Sequence, residues 1–136
     1  MTSEENFRES IPLRRDSDVA KARVLISQWA QRQGFSAVEK TRAMTAVSEI
    51  ARNCVTHGGG GSLHISVLYR GDKPGFRIQI VDQGRGIEDV ELAMTRGYST
   101  GSGLGLGLGG AKALCNRFSI ESNAGKGTTV VMDYWR

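Results

Sequence analysis

Asp82 follows Phe76, Ile78 and Ile80 at the same two-residue parity, so a strand through these positions turns its carboxylate toward the packed side of a sheet. A charge buried without a partner is costly, and something must hydrogen-bond it. An exposed strand end is the alternative. The residues that follow favour a ligand: Asp82-Gln83-Gly84-Arg85-Gly86-Ile87 leaves few side chains around the acid, so a flat molecule and the backbone can approach closely. Glu49 and Asn53 stand at i and i+4 and project from one side of a helix. A carboxylate there can polarise a hydroxyl or a water, and an amide oxygen can ligate a hard cation such as Mg²⁺. Taken alone, the same pair also reads as a solvated helix face. Gly101-Ser102-Gly103-Leu104-Gly105-Leu106-Gly107-Leu108 runs directly into a helical pattern, and free N–H groups at such a start suit phosphate. Thr128 shares parity with Val130 and Met132, so its hydroxyl points inward and needs a partner; core packing with a local backbone bond would supply one.

Several familiar chemistries are absent. Gly105, Gly107 and Gly110 match G-x-G-x-x-G, but no strand precedes them and no acidic residue lies at the expected distance beyond. Neither Lys112 nor Lys126 completes a phosphate-binding G-x-x-x-x-G-K-[ST] loop, and the D-F-G and catalytic-loop signatures of protein kinases are missing. Cys54, His57, His64 and Cys115 offer four zinc ligands, yet their spacing fits no common zinc pattern and both cysteines fall on apolar faces.

The elements that must position these residues can be read from periodicity. Arg8 to Leu13 forms a short opening strand, confined to a sheet edge or a strand end by Pro12. Asp16 or Ser17 caps a helix carrying Val19, Ala22, Ile26 and Trp29 on one stripe and ended by Gly34. Ser36-Ala37-Val38-Glu39 is a capping box that opens a second helix running to about His57, where Gly58 to Gly61 end it. Its apolar stripe is Met44, Val47, Ile50 or Ala51, and Cys54, with Glu49, Arg52 and Asn53 on the other side. Leu63 to Arg70 alternates as a half-buried strand, and the turn Gly71 to Gly75 returns it as a hairpin through Phe76 to Asp82. A short helix over Glu88 to Thr95, a glycine-rich loop over Gly97 to Gly107 and a helix from Leu108 to about Arg117 follow. Phe118 to Ser122 and Thr128 to Tyr134 close the chain as a pair across Asn123 to Gly127. Strands in hairpins with three or four covering helices make this α+β.

Length and composition bound the rest. The length suits one domain, 1–136. Apolar residues make up 39% and charged residues 24%, which argues against disorder. No apolar run approaches the ~20 residues of a membrane span, and no apolar leader opens the chain, so no membrane association is expected. Two cysteines make no disulfide scaffold, and a cytoplasmic address is the default. The net charge of +4 permits an anionic partner, but the basic residues are scattered in sequence and carry no nucleic-acid signature, so no nucleic acid is expected. Glycine is in excess, 18 of 136 residues.

Glu49…Asn53, then Asp82-x-Gly84-x-Gly86, then Gly103-x-Gly105-x-Gly107, then Gly127-Thr128, in this order, resembles the GHKL ATPase superfamily of gyrase, heat-shock protein 90, histidine kinases and MutL proteins. The resemblance covers nearly the whole chain and implies the Bergerat fold: a two-layer α/β sandwich with a mixed, mostly antiparallel sheet, helices on one face, and ATP between the helices and a lid. The chain is short for members that need large additional domains. Thr45 to Asn53 and the short segment Gly97-Tyr98-Ser99-Thr100-Gly101 look most like RsbT-type stressosome switch kinases, close relatives of RsbW-like anti-sigma factor kinases. That resemblance implies a serine/threonine kinase of a bacterial partner-switching stress response. Asp82 would then accept the adenine amine proton, with Thr128 assisting through a water. Asn53 would hold Mg²⁺, and backbone at Gly84, Gly86, Gly103, Gly105 and Gly107 would line the nucleotide. Glu49 would be the general base on a partner's hydroxyl. The implied substrate is a STAS-domain antagonist protein, and the implied second partner is a PP2C-type phosphatase or a sigma factor. An RsbW-like sigma-sequestering module and an ATP-binding adaptor with little transfer activity are the alternatives.

Overall fold

The computed structural model describes residues 7–57, 59–82, 84, 107–123 and 127–136. Among them the chain runs β1 (Phe7–Leu13), α1 (Asp16–Arg32), α2 (Ala37–Thr56), β2 (Gly61–Arg70), β3 (Lys73–Asp82), α3 (Gly107–Ala113), β4 (Arg117–Asn123) and β5 (Gly127–Trp135). The strands form one sheet in the order β1-β2-β3-β5-β4, and all four pairings are antiparallel. The expected short helix over Glu88 to Thr95 lies outside the described residues. No described helix is long and apolar enough to cross a membrane.

Strand parity decides the layers. Leu63 and Ile65 of β2, Phe76, Ile78 and Ile80 of β3, and Val130, Met132 and Tyr134 of β5 share one face and form a single core with the apolar stripes of α1 and α2. Phe76 sits at its centre, with ring centroids 5.3 Å from Phe35, 5.3 Å from Tyr134 and 6.3 Å from Trp29. Pro12 places β1 at the sheet edge, as its missing N–H requires. On the other face, Arg77 meets the fully buried Asp133 in a two-pronged ion pair, Nε to Oδ1 at 2.7 Å and Nη2 to Oδ2 at 3.0 Å.

Three boundaries differ from expectation. α1 is entered through Arg15 rather than Asp16 or Ser17, because the Asp18 carboxylate reaches back to accept the N–H groups of Arg14 (2.9 Å) and Arg15 (3.2 Å). The β2–β3 turn is only Gly71-Asp72, with Gly71 at φ 65°, and Pro74 joins the ladder opposite Tyr69. A glycine first in a two-residue loop gives the twist that a tight hairpin needs. α3 begins at Gly107 and stops at Ala113, short of Arg117. Asn116 draws the chain into the sheet there: its N–H donates to the Asp133 carbonyl and its Oδ1 accepts the Trp135 N–H at 2.8 Å. The Ser36–Glu39 capping box is present in both directions, at 3.1 and 2.8 Å.

Candidate functional site

The C-terminal end of α2 and the ends of β2 and β3 converge, and glycines make this possible. Gly59 and Gly60 take φ of 73° and 96°, the left-handed conformation that reverses the chain directly after α2. The Gly60 N–H donates to the Cys54 carbonyl at 3.0 Å, which terminates the helix. The chain re-enters the sheet at Gly61, opposite Asp82. A Cβ on Gly61 would lie 1.9 Å from the Val81 carbonyl oxygen and 2.9 Å from both the Asp82 Cα and the Cys54 Sγ. Only glycine allows helix, strand and acid to approach this closely.

Asp82 ends β3 between Gly61 and Thr128. Its Oδ1 accepts the Gly84 N–H at 3.0 Å. Burial raises its carboxyl pKa above the usual value, and backbone hydrogen bonds from Gly84 and Thr128 only partly oppose this. A carboxylate offers about four lone-pair sites, so acceptor capacity remains after these donors. Cys54, 2% exposed, lies beneath; its thiol is pushed up to about 12 by burial first and by the Asp82 charge second. A thiol so held is a neutral apolar wall. Thr128 is buried, and its hydroxyl meets the Ser122 hydroxyl at 2.8 Å, while Ser122 donates to the Gly127 carbonyl at 3.2 Å.

Glu49 is only 9% exposed, so it does not lie on a solvated helix face. Its Oε1 sits 3.4 Å from Arg52 Nη1, one turn on. Asn53 is half-buried, and its side-chain amide makes no hydrogen bond to any described residue. No hydrogen bond or ion pair among the described residues joins Glu49 or Asn53 to Asp82 directly. Cys54, next to Asn53 on α2 and packed against Gly61 beside Asp82, connects the two halves. Gly86, Gly103 and Gly105 lie outside the described residues, as does most of the glycine-rich segment; Gly107 opens α3.

Gly61, Cys54 and Ser122 are the residues that sequence reading missed. The glycine run at 58–61 was the available signal for Gly61, and it reads there only as a helix stop. Ser122 shares its strand parity with Phe118 and Ile120, and that parity turns it toward Thr128.

A sheet of this order with helices on one face, an acid at the end of β3 and a helix carrying Glu49 and Asn53 can be compared with known proteins. The Histidine kinase-like ATPase domain family matches residues 11–134. The chain belongs to this family. It is 38% identical over 130 residues to the serine/threonine-protein kinase RsbT of Bacillus subtilis (strain 168), covering 96% of this chain and 98% of that one. It is 31% identical over 133 residues to the anti-sigma F factor of Thermoanaerobacter sp. (strain X514), covering 93% and 92%. The fold is similar to that in the crystal structure of the RsbU and RsbW domains of Rv1364c from Mycobacterium tuberculosis, with a TM-score of 0.63 and 18% identity. That likeness spans 94% of this chain and 33% of the other. The histidine kinase-like ATPase fold agrees with the α+β sandwich expected from the GHKL resemblance, and the expected enzyme class, an ATP-using kinase, agrees with the family and with RsbT.

Proposed function

We propose that this chain is a serine/threonine kinase of a bacterial partner-switching pathway, which transfers the γ-phosphate of ATP to a STAS-domain antagonist protein and also engages a phosphatase. The observation that carries the reading is Asp82: a partly desolvated carboxylate, walled by the neutral Cys54 thiol, with acceptor capacity left for an amine donor. An adenine amino group is such a donor. The Thr128–Ser122 hydroxyl pair beside it holds a further polar contact at the same end of the sheet.

The residues of α2 fit the phosphate end. The Asn53 amide oxygen, free of other side chains among the described residues, suits Mg²⁺, which takes few protein ligands. When bound, Mg²⁺ neutralises phosphate charge. Glu49, held in place by Arg52, accepts the proton of the partner's serine or threonine hydroxyl. The hydroxyl oxygen bonds to the γ-phosphorus as the bond to the bridging β–γ oxygen breaks, and ADP leaves. Positioning and charge neutralisation dominate such transfers. Backbone at Gly84, Gly86, Gly103, Gly105 and Gly107 lines the nucleotide in this reading.

Glu49→Gln tests it. Transfer of labelled γ-phosphate to a purified STAS-domain protein is expected to fall about 10²–10⁴-fold while ATP binding in calorimetry is kept. Transfer at the wild-type rate would remove Glu49 from the mechanism. A second reading, a sigma-sequestering module, is favoured by the anti-sigma F factor relatives. Co-purification with a sigma factor in an ATP-dependent manner, and not with a phosphatase, would support that alternative.

A further inference from the structure

The sheet face turned away from the helices has its own chemistry. Trp135 projects onto that face, and its indole lies across Gly75 on the neighbouring strand: a Cβ at Gly75 would come within 2.8 Å of the Trp135 Cδ1. Two guanidinium groups converge on this ring from strands that flank it on either side. Arg70 at the end of β2 and Arg117 at the start of β4 each place Cζ 5.4 Å from the indole centroid. Both arginines are exposed, and neither has a carboxylate partner among the described residues. Arg77, in contrast, is committed to Asp133. Lys73, paired opposite Arg70, adds a third cation at this corner.

One polar group of this ring is left without a partner. The Trp135 indole N–H is buried, in a residue only 8% exposed, and makes no hydrogen bond among the described residues. Buried polar groups nearly always find partners, so an orphaned N–H on the very ring that both guanidiniums approach is a second, independent observation. The indole N–H is a donor and asks for an acceptor, and the cations beside it ask for negative charge.

We propose that this corner of the outer sheet face is a docking site for an acidic segment of a protein partner, one that presents paired carboxylates to Arg70 and Arg117. Guanidinium and carboxylate form bidentate, charge-assisted hydrogen bonds. A carboxylate that draws the guanidiniums off the ring face opens the way to the indole N–H. The rest of the face favours a folded protein over a nucleic acid. Around Ser62, His64, Gln79 and Thr129 it is neutral, polar and half-buried, with no continuous cationic track for a phosphate backbone. The corner lies seven residues along β3 from Asp82, roughly 23 Å at ~3.3 Å per residue, so this contact leaves the nucleotide end free. The proposal does not rest on the kinase reading.

The test uses the full chain and a synthetic acidic peptide of about ten alternating aspartate and leucine residues, with a lysine-for-aspartate peptide as control. The readout is the indole N–H resonance of Trp135 in the ¹⁵N-labelled protein, assigned by its loss in Trp135→Phe. A saturable shift with the acidic peptide alone is expected, together with at least a tenfold weaker Kd in Arg70→Glu/Arg117→Glu. Arg70→Ala/Arg117→Ala serves should the charge reversal not fold, and both variants keep wild-type ATP affinity. No saturable shift, or equal affinity in the double variants, would overturn the proposal. It would equally be overturned if inorganic phosphate alone reproduced and blocked the shift, or if phosphatidylserine vesicles bound in place of the peptide.

Discussion

Asp82→Asn separates charge from shape. The amide keeps an oxygen for the Gly84 N–H but would set a donor, in place of an acceptor, against the adenine amine of the proposed function. Nucleotide affinity is expected to fall by about 1–3 kcal/mol, read by calorimetry. The raised carboxyl pKa adds a pH signature. Because the folded value lies above the unfolded one, the contribution of Asp82 to stability is full below the unfolded pKa and is lost as pH rises through the folded pKa. ATP binding, in the proposed function, runs the other way, since there it needs the ionised acceptor. Affinity is therefore expected to weaken as pH falls through the folded pKa, at a pH above the usual carboxylate midpoint of about 3.9. Asp82→Asn should flatten that profile. A residual pH slope of wild-type size in the variant would assign the titration to another group.

At the level of elements, the site depends on the path from α2 into β2. Gly61→Ala puts a methyl 1.9 Å from a backbone oxygen that cannot rotate away. Overpacking of this kind typically costs about 1–3 kcal/mol, and backbone on one side places this case at the upper end. Denaturant unfolding should show the lower midpoint, and ATP affinity should drop with it because Asp82 moves. Gly59→Ala, where a Cβ meets nothing within 4 Å, carries only the strain of its positive φ and serves as the comparison. The elements themselves were legible because their signals are local. The capping box at Ser36, the alternation in β2 and the parity that turns Asp82 and Thr128 inward are all written within a few residues. The role of Gly61 was not, because its tightest constraint comes from Val81 and Asp82, which are distant in sequence. Glu49 was similarly opaque: i, i+4 spacing places two groups on one side of a helix without saying what covers that side.

Over the whole molecule, the outer face shows how register gathers what the sequence scatters. Arg70, Arg77 and Arg117 look like isolated charges along the chain, yet the ladders bring Arg117 and Arg77 to either side of Asp133 and bring Arg70 and Arg117 to one indole. Asp133 is fully buried, and Arg77 makes a bidentate ion pair with it. Arg77→Met leaves that charge without its bidentate partner, and removing one member of a buried pair costs about 3–5 kcal/mol. Thermal and denaturant unfolding should register the loss. Arg77→Met/Asp133→Leu should recover most of it, because replacing both members with apolar groups is often neutral or better. A double variant as unstable as the single one would show that this face needs its charges for reasons beyond the pair.

The position of β1 also governs the order in which the structure can assemble. β2 and β3 are joined by two residues and can pair as soon as both exist, whereas β1 reaches β2 only across a loop that contains both long helices. Closing the larger loop costs more chain entropy before any contact offsets it. The hairpin is therefore expected in the rate-limiting nucleus, with the β1 edge sealed afterwards. In stopped-flow kinetics Ile78→Val should mainly slow folding, and Leu13→Ala should mainly speed unfolding. Release of β1 is then one way in which the sheet can open. It exposes the edge of β2, the strand whose first residue, Gly61, stands opposite Asp82, so loosening at the rim is expected to reach the proposed nucleotide end.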